Sequence, residues 1–540
     1  MTEMPPSISD YRPPFLKREG SFILAASILY LLMSWAMATF GQHQFGGNDT
    51  GVLVDDAYRL YYGYHPYVDF PITRPILYYL GCLWSMQLFG VTWTALIDIT
   101  ILFCGLTYVL HLVLLRRLGI SKVWSIATAA TIQIGSFLPS SYWWYNSSSD
   151  VAVCLYCTAA LLVLAKPSDR VNWILYCVTL FIASLAKANM AGPAIVACSV
   201  ALELRKETRI KAIVYSLIAA FCSAILLCVY RLNPLDVLHH YFAAAGRGVP
   251  VLDRFVNGWP LDVAVWQVAT PVVMMLPILA VLIKRMMVGG RWRFDVPRSI
   301  ILGSGIFVGE LAAFTNGDVR TTDQSLVLMC GILFFLLPIS DKRGLTNGFP
   351  MFLQRFAITF MVSLSVWMCV TRFKVWTIGP FFQSGPEIAV GERNAFYGKM
   401  KASPEFIGIL EDITSFLADR RAKMAQKPEL EFNRANGSLI YRTEPKVFFG
   451  PRMVWAYAAF HVEPPRVLPM SWWAGVDYPA DQVPAMADYL KNAGFDYLIF
   501  YSPGPNNLDL TYMPPEVVQI VFNDFKIVGR ARSLIVFAKK

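Results

Sequence analysis

Residues 46–79 read GGNDTGVLVDDAYRLYYGYHPYVDFPITRPILYY, and they connect two apolar stretches at 21–40 and 93–115. Each flanking stretch is long enough to cross a bilayer as a helix, which takes about 17–25 residues. A polar, aromatic segment between two such stretches is typical of a loop at a membrane surface. The stretch therefore predicts a polytopic α-helical membrane protein whose first loop, residues 41–92, lies on one side.

The composition agrees with a membrane protein. Of the 540 residues, 56% are hydrophobic and 16% are charged, whereas soluble domains carry about 25% charged residues. Residues 1–375 hold 29 Lys and Arg against 20 Asp and Glu, and residues 376–540 hold 18 against 17. The basic excess thus lies in the apolar part, where the positive-inside rule explains it. The sequence therefore argues against a nucleic-acid partner and for a lipid bilayer.

Apolar stretches predict about eleven membrane-spanning helices. They lie at 21–40, 93–115, 123–140, 151–165, 171–186, 190–204, 212–230, 263–283, 299–316, 326–340 and 356–373. The segment 75–90 is apolar but short, and its Trp and Tyr favour a helix at the interface.

Lysine and arginine set the predicted orientation. With the N-terminus inside, the cytoplasmic segments hold 20 of these residues and the opposite loops hold seven, which is the expected bias. An odd number of spans then places both the first loop and the tail outside the cytoplasm.

The tail, residues 376–540, alternates helix-like and strand-like runs and contains no cysteine. This alternation predicts a small extracytoplasmic α/β domain, so the chain divides into a membrane domain, 1–375, and the tail. Within the tail, Trp472, Trp473 and Asp477 either contact an acceptor glycan or pack the domain, and packing is favoured.

The first loop carries four carboxylates at the membrane surface: Asp49, Asp55, Asp56 and Asp69. A carboxylate in a partly dry pocket has a raised pKa and can act as a general base on a hydroxyl group. The alternative is a solvated loop whose acids cap helices. For Asp55 and Asp56 the favoured interpretation is first-turn acids of a helix that starts near Val54.

The loop also resembles a known family. Asp49-x-Gly51 is followed by Gly63-x-x-Pro66-Tyr67-x-Asp69-Phe70 and then by Pro75-x-x-Tyr78. This pattern resembles the first-loop motif of GT-C membrane glycosyltransferases, a group that includes lipid A aminoarabinose transferases and protein O-mannosyltransferases. The resemblance implies a GT-C-like fold in a bacterial inner membrane and a sugar donor on a polyprenyl phosphate.

The resemblance also implies roles for residues outside the cytoplasm. The spacing in the motif favours Asp49 as the catalytic base, with Asp55 and Asp56 as the other candidates. Cations must stabilise the phosphate that leaves, and the candidates are Arg74, Lys187, Arg247 and Arg320. Lys187 could instead snorkel to the interface, and Arg320 could pair with Asp318 or Asp323.

The substrate is expected to be lined by His65, Tyr67 and Asp69 of the motif and by Trp143 and Trp144. For the two tryptophans, an aromatic belt at the membrane interface is the favoured alternative.

The sequence therefore predicts a glycosyltransferase that moves a sugar, with inversion, to an extracytoplasmic glycan, glycolipid or protein. No metal is expected to be obligatory, although Asp49 with Asp55 or Asp56 could hold Mg²⁺ or Mn²⁺ with additional waters. The alternatives are a transporter or flippase of lipid-linked sugars and an inactive binding relative.

Overall fold

The computed structural model describes residues 14–45, 49–71, 73–245, 296–315, 325–336, 388–426, 428–433, 438–472, 474, 477–502, 504, 507–510 and 512–540. The helices of the first half follow one another closely. They are α1 (Pro14–Gly41), α2 (Asp49–Tyr61), α3 (Ile76–Phe89), α4 (Trp93–Arg117), α5 (Lys122–Phe137), α6 (Tyr145–Ala165), α7 (Arg170–Ser184), α8 (Ala188–Glu203), α9 (Lys206–Val229) and α10 (Pro234–Ala245). Two more helices, Val296–Thr315 and Ser325–Leu336, complete this part of the described chain.

The apolar stretches form helices as predicted wherever the structure describes them. Four of these helices are both long and apolar enough to cross a membrane: α4, α6, α9 and the Glu19–Gly41 part of α1. The predicted spans at 263–283 and 356–373 lie outside the described residues, so the total of eleven stays a prediction.

Helix α3 matches the predicted interfacial segment. Its 14 residues extend about 21 Å at 1.5 Å per residue, less than the ~30 Å of the hydrocarbon core. Trp84, Leu88 and Phe89 are exposed on it, and Trp prefers the interfacial depth. The length and this exposed surface suit a helix that lies along the membrane surface.

Helix α6 begins earlier than predicted. The sequence suggested a loop through residue 150, but the helix starts at Tyr145 and is buried along almost its whole length. Its polar residues find partners inside the bundle. Asp150 accepts hydrogen bonds from the Ser136 hydroxyl (3.0 Å) and from the Leu326 backbone N–H (3.2 Å). Polar side chains satisfied in this way can be buried, and a hydropathy pattern does not reveal such partners.

Gly81 of α3 lets this helix approach the segment before α6. A Cβ atom at Gly81 would overlap the indole of Trp143, and that indole donates a hydrogen bond to the Tyr78 carbonyl at 2.8 Å.

We therefore expect Gly81→Ala to destabilise the protein by about 1–3 kcal/mol, the usual cost of overpacking. The measurement is the thermal unfolding temperature of the purified protein in detergent. The matched control is Gly192→Ala in α8, where a Cβ atom meets nothing within 4 Å. Equal unfolding temperatures for the two variants would contradict the close approach.

The described strands of the tail are β1 (Ile388–Ala389), β2 (Lys401–Ala402), β3 (Glu429–Asn433), β4 (Ser438–Arg442), β5 (Val447–Phe449), β6 (Tyr497–Tyr501), β7 (Phe525–Ala531) and β8 (Leu534–Lys539). Four of them form one sheet in the order β5-β6-β8-β7. Within this sheet β5 and β6 are parallel, and the other neighbouring strands are antiparallel. The helices of the tail are Pro404–Gln426, Ala456–Ala459, Val483–Asn492 and Pro515–Asp524. The helix–strand alternation is as predicted for β5, β6 and β8. Strands β3, β4 and β7 were not predicted.

The tail packs directly against the membrane domain. Phe45, after α1, lies 5.2 Å from the Trp93 ring, 5.3 Å from Tyr397 and 6.2 Å from Trp455, as measured between ring centroids. Edge-on aromatic contacts of this kind add about 0.5–1.5 kcal/mol per pair beyond the area they bury. The tail and the first loop therefore share one apolar core and lie on the same side of the bundle.

Candidate active site

Helix α2 arranges the acids of the first loop. The helix starts at Asp49, so the expectation of a start near Val54 is wrong, and the first-turn acid is Asp49. Asp55 and Asp56 lie in the second turn and are fully buried, whereas Asp49 is exposed. Residues three and seven apart share a helix face, so Asp49, Val52 and Asp56 face one way and Asp55 faces another.

Asp55 is bound to the tail through Arg59. The Arg59 Nε donates to the Asp55 carboxylate at 2.9 Å, and its Nη1 donates to the carbonyls of Pro465 (2.6 Å) and Leu468 (3.0 Å). Both side chains are fully buried. Burial raises the pKa of Asp55 to about 7, although Arg59 opposes the shift. That pKa would suit a base, but the carboxylate is enclosed by the tail and has no access to a substrate.

Asp56 is paired with Arg74 on the other face of α2. Its carboxylate accepts a hydrogen bond from the Tyr78 hydroxyl at 2.7 Å and is in direct ionic contact with Arg74. Burial raises the pKa of Asp56, and Arg74 and Tyr78 act against that change. The contacts hold the Arg74 guanidinium in place, so Asp56 is better suited to position this cation than to accept a proton.

Arg74 and Lys187 meet at the ring of Tyr145. The Arg74 Cζ lies 5.7 Å from the ring centroid and the Lys187 Nζ lies 5.1 Å from it. The Lys187 ammonium also donates to the Asn146 side-chain carbonyl at 3.0 Å. The two cations therefore contact one aromatic ring at the N-terminal end of α6, and the Lys187 ammonium is bonded within the protein.

The motif residues His65, Tyr67 and Asp69 shape the loop after α2. The Asp69 carboxylate accepts the His65 backbone N–H at 2.7 Å and lies 3.4 Å from the Arg466 guanidinium of the tail. Tyr67 is buried, has a positive φ of 66°, and donates its hydroxyl to the Arg74 carbonyl at 2.7 Å. Tyr67 thus holds the segment that carries Arg74, whereas His65 and Asp69 are bonded to each other and Asp69 to the tail.

Trp143 and Trp144 are both buried. Trp143 packs on Gly81 as described above. The Trp144 ring lies 4.6 Å from the Tyr145 ring, and its buried indole N–H has no hydrogen-bond partner among the described residues. Trp144 therefore packs against the ring of Tyr145, which the two cations also contact.

A small, partly open cavity lies beside Arg74. Its lining comes from the first loop and from the tail: Val52, Pro71, Thr73, Arg74, Met470, Ser471 and Asp477. Val52 shares a helix face with Asp49, although Asp49 itself is not one of the lining residues.

The sequence did not assign several of these residues. Tyr145 and Asn146 stood in a stretch interpreted as a loop, and recognising them required knowing that α6 extends to residue 145. For Asp477 packing was favoured, but this residue lines the cavity, whereas its neighbour Trp472 is buried in the tail core as expected. Arg247, Arg320 and Trp473 lie outside the described residues.

A metal site is not evident in the described parts of the chain. No group of three or more His, Cys, Asp or Glu side chains there is arranged to hold an ion. Asp55 and Asp56 are directed at Arg59 and Arg74, on different faces of α2.

Comparison with known structures finds ArnT from Cupriavidus metallidurans, a GT-C lipid A aminoarabinose transferase. The crystal structure of ArnT bound to undecaprenyl phosphate is 13% identical and has a TM-score of 0.36, over 97% of this chain and 98% of that chain. The apo structure is 12% identical with a TM-score of 0.38, over 96% and 97%. No family model and no curated protein matches the chain. The chain is thus similar to a member of the group that the first loop resembles, and at these values the likeness assigns no residue a role.

Proposed function

We propose that this chain is a membrane glycosyltransferase that moves a sugar from a polyprenyl-phosphate donor to an acceptor hydroxyl outside the cytoplasm. The observation that carries the proposal is the pair of cations, Arg74 and Lys187, on the ring of Tyr145 beside a cavity. This arrangement offers a site for a phosphate group at the outer end of apolar helices, where a lipid-linked phosphate would enter.

The reaction needs charge stabilisation at the leaving group. The bond between the anomeric carbon and the phosphate oxygen breaks, and the phosphate leaves with its electron pair. Fixed cations at that oxygen stabilise the charge that develops. Arg74 is held by Asp56 and Tyr78, and Lys187 by Asn146, so neither has to reorganise during the reaction.

The acceptor needs a base on the opposite side of the sugar. Asp49 is the best candidate because it is exposed and shares a helix face with Val52, which lines the cavity. Seven residues extend about 10 Å along a helix, which is the separation along α2 between Asp49 and Asp56, the residue that holds Arg74. Asp49 would take the hydroxyl proton as the acceptor oxygen attacks the anomeric carbon, and attack opposite the phosphate inverts the configuration.

The proposed location is a bacterial inner membrane, with the N-terminus in the cytoplasm. The bias of Lys and Arg supports this orientation. Contacts such as Arg59 with Pro465 require the first loop and the tail to share a side, which agrees with the even number of spans, ten of the predicted eleven, that separates them.

The proposal is tested with the purified protein in proteoliposomes that contain a polyprenyl-phosphate sugar labelled in the sugar. Transfer of label to an added glycolipid, glycan or protein acceptor is the expected result. A transporter would move the donor across the bilayer with no product, and a binding protein would do neither. Absence of labelled product with all three acceptor classes would overturn the proposal.

Lys187→Met keeps most of the side-chain length and removes the charge. We expect donor KM to rise and kcat to fall, with a combined loss in kcat/KM of about 10²–10³, as for removal of one preorganised group at a developing anion. Initial transfer rates across donor concentrations measure both constants.

The control for Lys187→Met is Lys166→Met, which removes an exposed lysine at the other end of α6 and should leave both constants unchanged. If Lys187→Met transfers at the normal rate, the phosphate does not bind at this lysine.

A further inference from the structure

The tail supplies one complete wall of the cavity. Met470, Ser471 and Asp477 face Thr73 and Arg74 of the first loop across it. Most other contacts between these two parts only fasten them together, such as the Tyr64 hydroxyl with Glu463 at 2.9 Å. The cavity wall is different because it presents a carboxylate and a hydroxyl to an open space.

Asp477 is held firmly at this wall. The Ser471 hydroxyl donates to one oxygen of its carboxylate at 2.6 Å. The next residue, Tyr478, is fully buried in the tail core, which anchors Asp477 from that side. Asp477 itself is only half-buried, which leaves its carboxylate accessible from the cavity.

The chemistry of this cavity suits a sugar ring. Carboxylate and hydroxyl groups make hydrogen bonds to sugar hydroxyls, and those that involve an ionised group are about twice as strong as neutral ones. Val52, Pro71 and Met470 add apolar surface for the C–H face of a ring. The cavity is small and partly open, so a sugar would lie against this lining rather than inside an enclosed pocket.

We infer that Asp477, with Ser471, is a specificity-determining residue that binds hydroxyl groups of the transferred sugar. The inference rests on the proposed function and extends it to the tail. The position of Arg74 favours the sugar of the donor, rather than the acceptor, as the occupant of the cavity. Arg74 borders both the cavity and the Tyr145–Lys187 pair. A phosphate bound between the two cations directs the sugar that it carries into the adjoining cavity.

The test uses the full-length protein in proteoliposomes and four donors, polyprenyl phosphate linked to glucose, mannose, galactose or xylose. These sugars differ at single hydroxyl or hydroxymethyl positions. For the donor that the wild type prefers, Asp477→Asn should lower kcat/KM by about 10- to 100-fold, the contribution of a hydrogen bond to a charged group. The kcat/KM values for the poorer donors should fall less, so the differences in kcat/KM among the four donors become smaller.

The matched control is Asp488→Asn, which removes an exposed carboxylate from the tail helix Val483–Asn492 and should leave the donor ranking as in the wild type. Ser471→Ala is the second variant, for the case that Asp477→Asn unfolds. This variant keeps the carboxylate but removes the hydroxyl. It should also reduce the differences in kcat/KM among the four donors, but by less than Asp477→Asn does.

The outcomes separate the inference from the proposed function. A wild type that transfers none of the four sugars to any acceptor counts against the proposed function, and the inference falls with it. A wild type that transfers sugar, while Asp477→Asn and Ser471→Ala keep its rate and donor ranking, overturns the inference alone. A change in acceptor KM with an unchanged donor ranking also overturns it, since the cavity would then hold the acceptor.

Discussion

Asp49→Asn is expected to lower the rate of transfer by about 10²–10⁴, the usual loss when a general base is removed. Asparagine keeps the size and polarity of the side chain but accepts no proton. Asp49 is exposed at the start of α2 and asparagine is also a good residue for a helix start, so the protein should insert and fold. The measurement is the initial rate with labelled donor at saturating acceptor, together with the unfolding temperature.

The control for Asp49→Asn must account for the helix dipole, because a first-turn acid stabilises its helix by about 0.3–1 kcal/mol. Asp236 is the matched residue, a first-turn acid of α10. Asp236→Asn should change the unfolding temperature about as much as Asp49→Asn and should retain full transfer. Near-normal turnover by Asp49→Asn would exclude Asp49 as the base.

Arg59→Leu is expected to have the largest effect on stability. Arg59 and Asp55 are both fully buried, and removing one partner of a buried ion pair costs about 3–5 kcal/mol because the remaining charge has no counterpart. Two tail carbonyls, of Pro465 and Leu468, lose their donor as well. We expect a large drop in unfolding temperature and faster proteolysis of the tail in the purified protein.

Arg466→Met is the matched control in the same contact area. Arg466 is 58% exposed and pairs with Asp69 at 3.4 Å, and an exposed pair contributes about 0–1 kcal/mol. The double variant Asp55→Leu/Arg59→Leu should recover part of the loss, since it removes both buried charges. An Arg59→Leu variant as stable as Arg466→Met would show that the buried pair does not hold the tail to α2.

The acids of the first loop show how much of the candidate site could be predicted from the sequence. Their number and spacing indicated a functional loop, and the motif gave a reason to single out Asp49. The sequence did not show that Asp55 and Asp56, although adjacent, serve different partners. The helical periodicity directs one to Arg59 and the tail and the other to Arg74, and that difference appears only once the start of α2 is known.

The cations show the same limit. A lysine at the end of an apolar stretch made Lys187 a candidate, but snorkelling remained an equal explanation until its contacts with Tyr145 and Asn146 were known. Arg74 was one of several cations outside the cytoplasm. Its selection depends on Asp56 and Tyr78, which hold it beside the cavity.

The sequence by itself determined the mostly helical architecture with its apolar helices, the separate short helix α3, and the helix–strand alternation of the tail, because each follows from local hydrophobic periodicity and composition. Only the tertiary structure decided that the tail packs on the first loop and that Asp477 lines a cavity with Arg74, some 400 residues away in the chain. The physical reason is that periodicity records which face of an element is buried, but not which distant element buries it. Contacts such as that of Arg59 with Pro465 and Leu468 depend on how the folded elements meet in space.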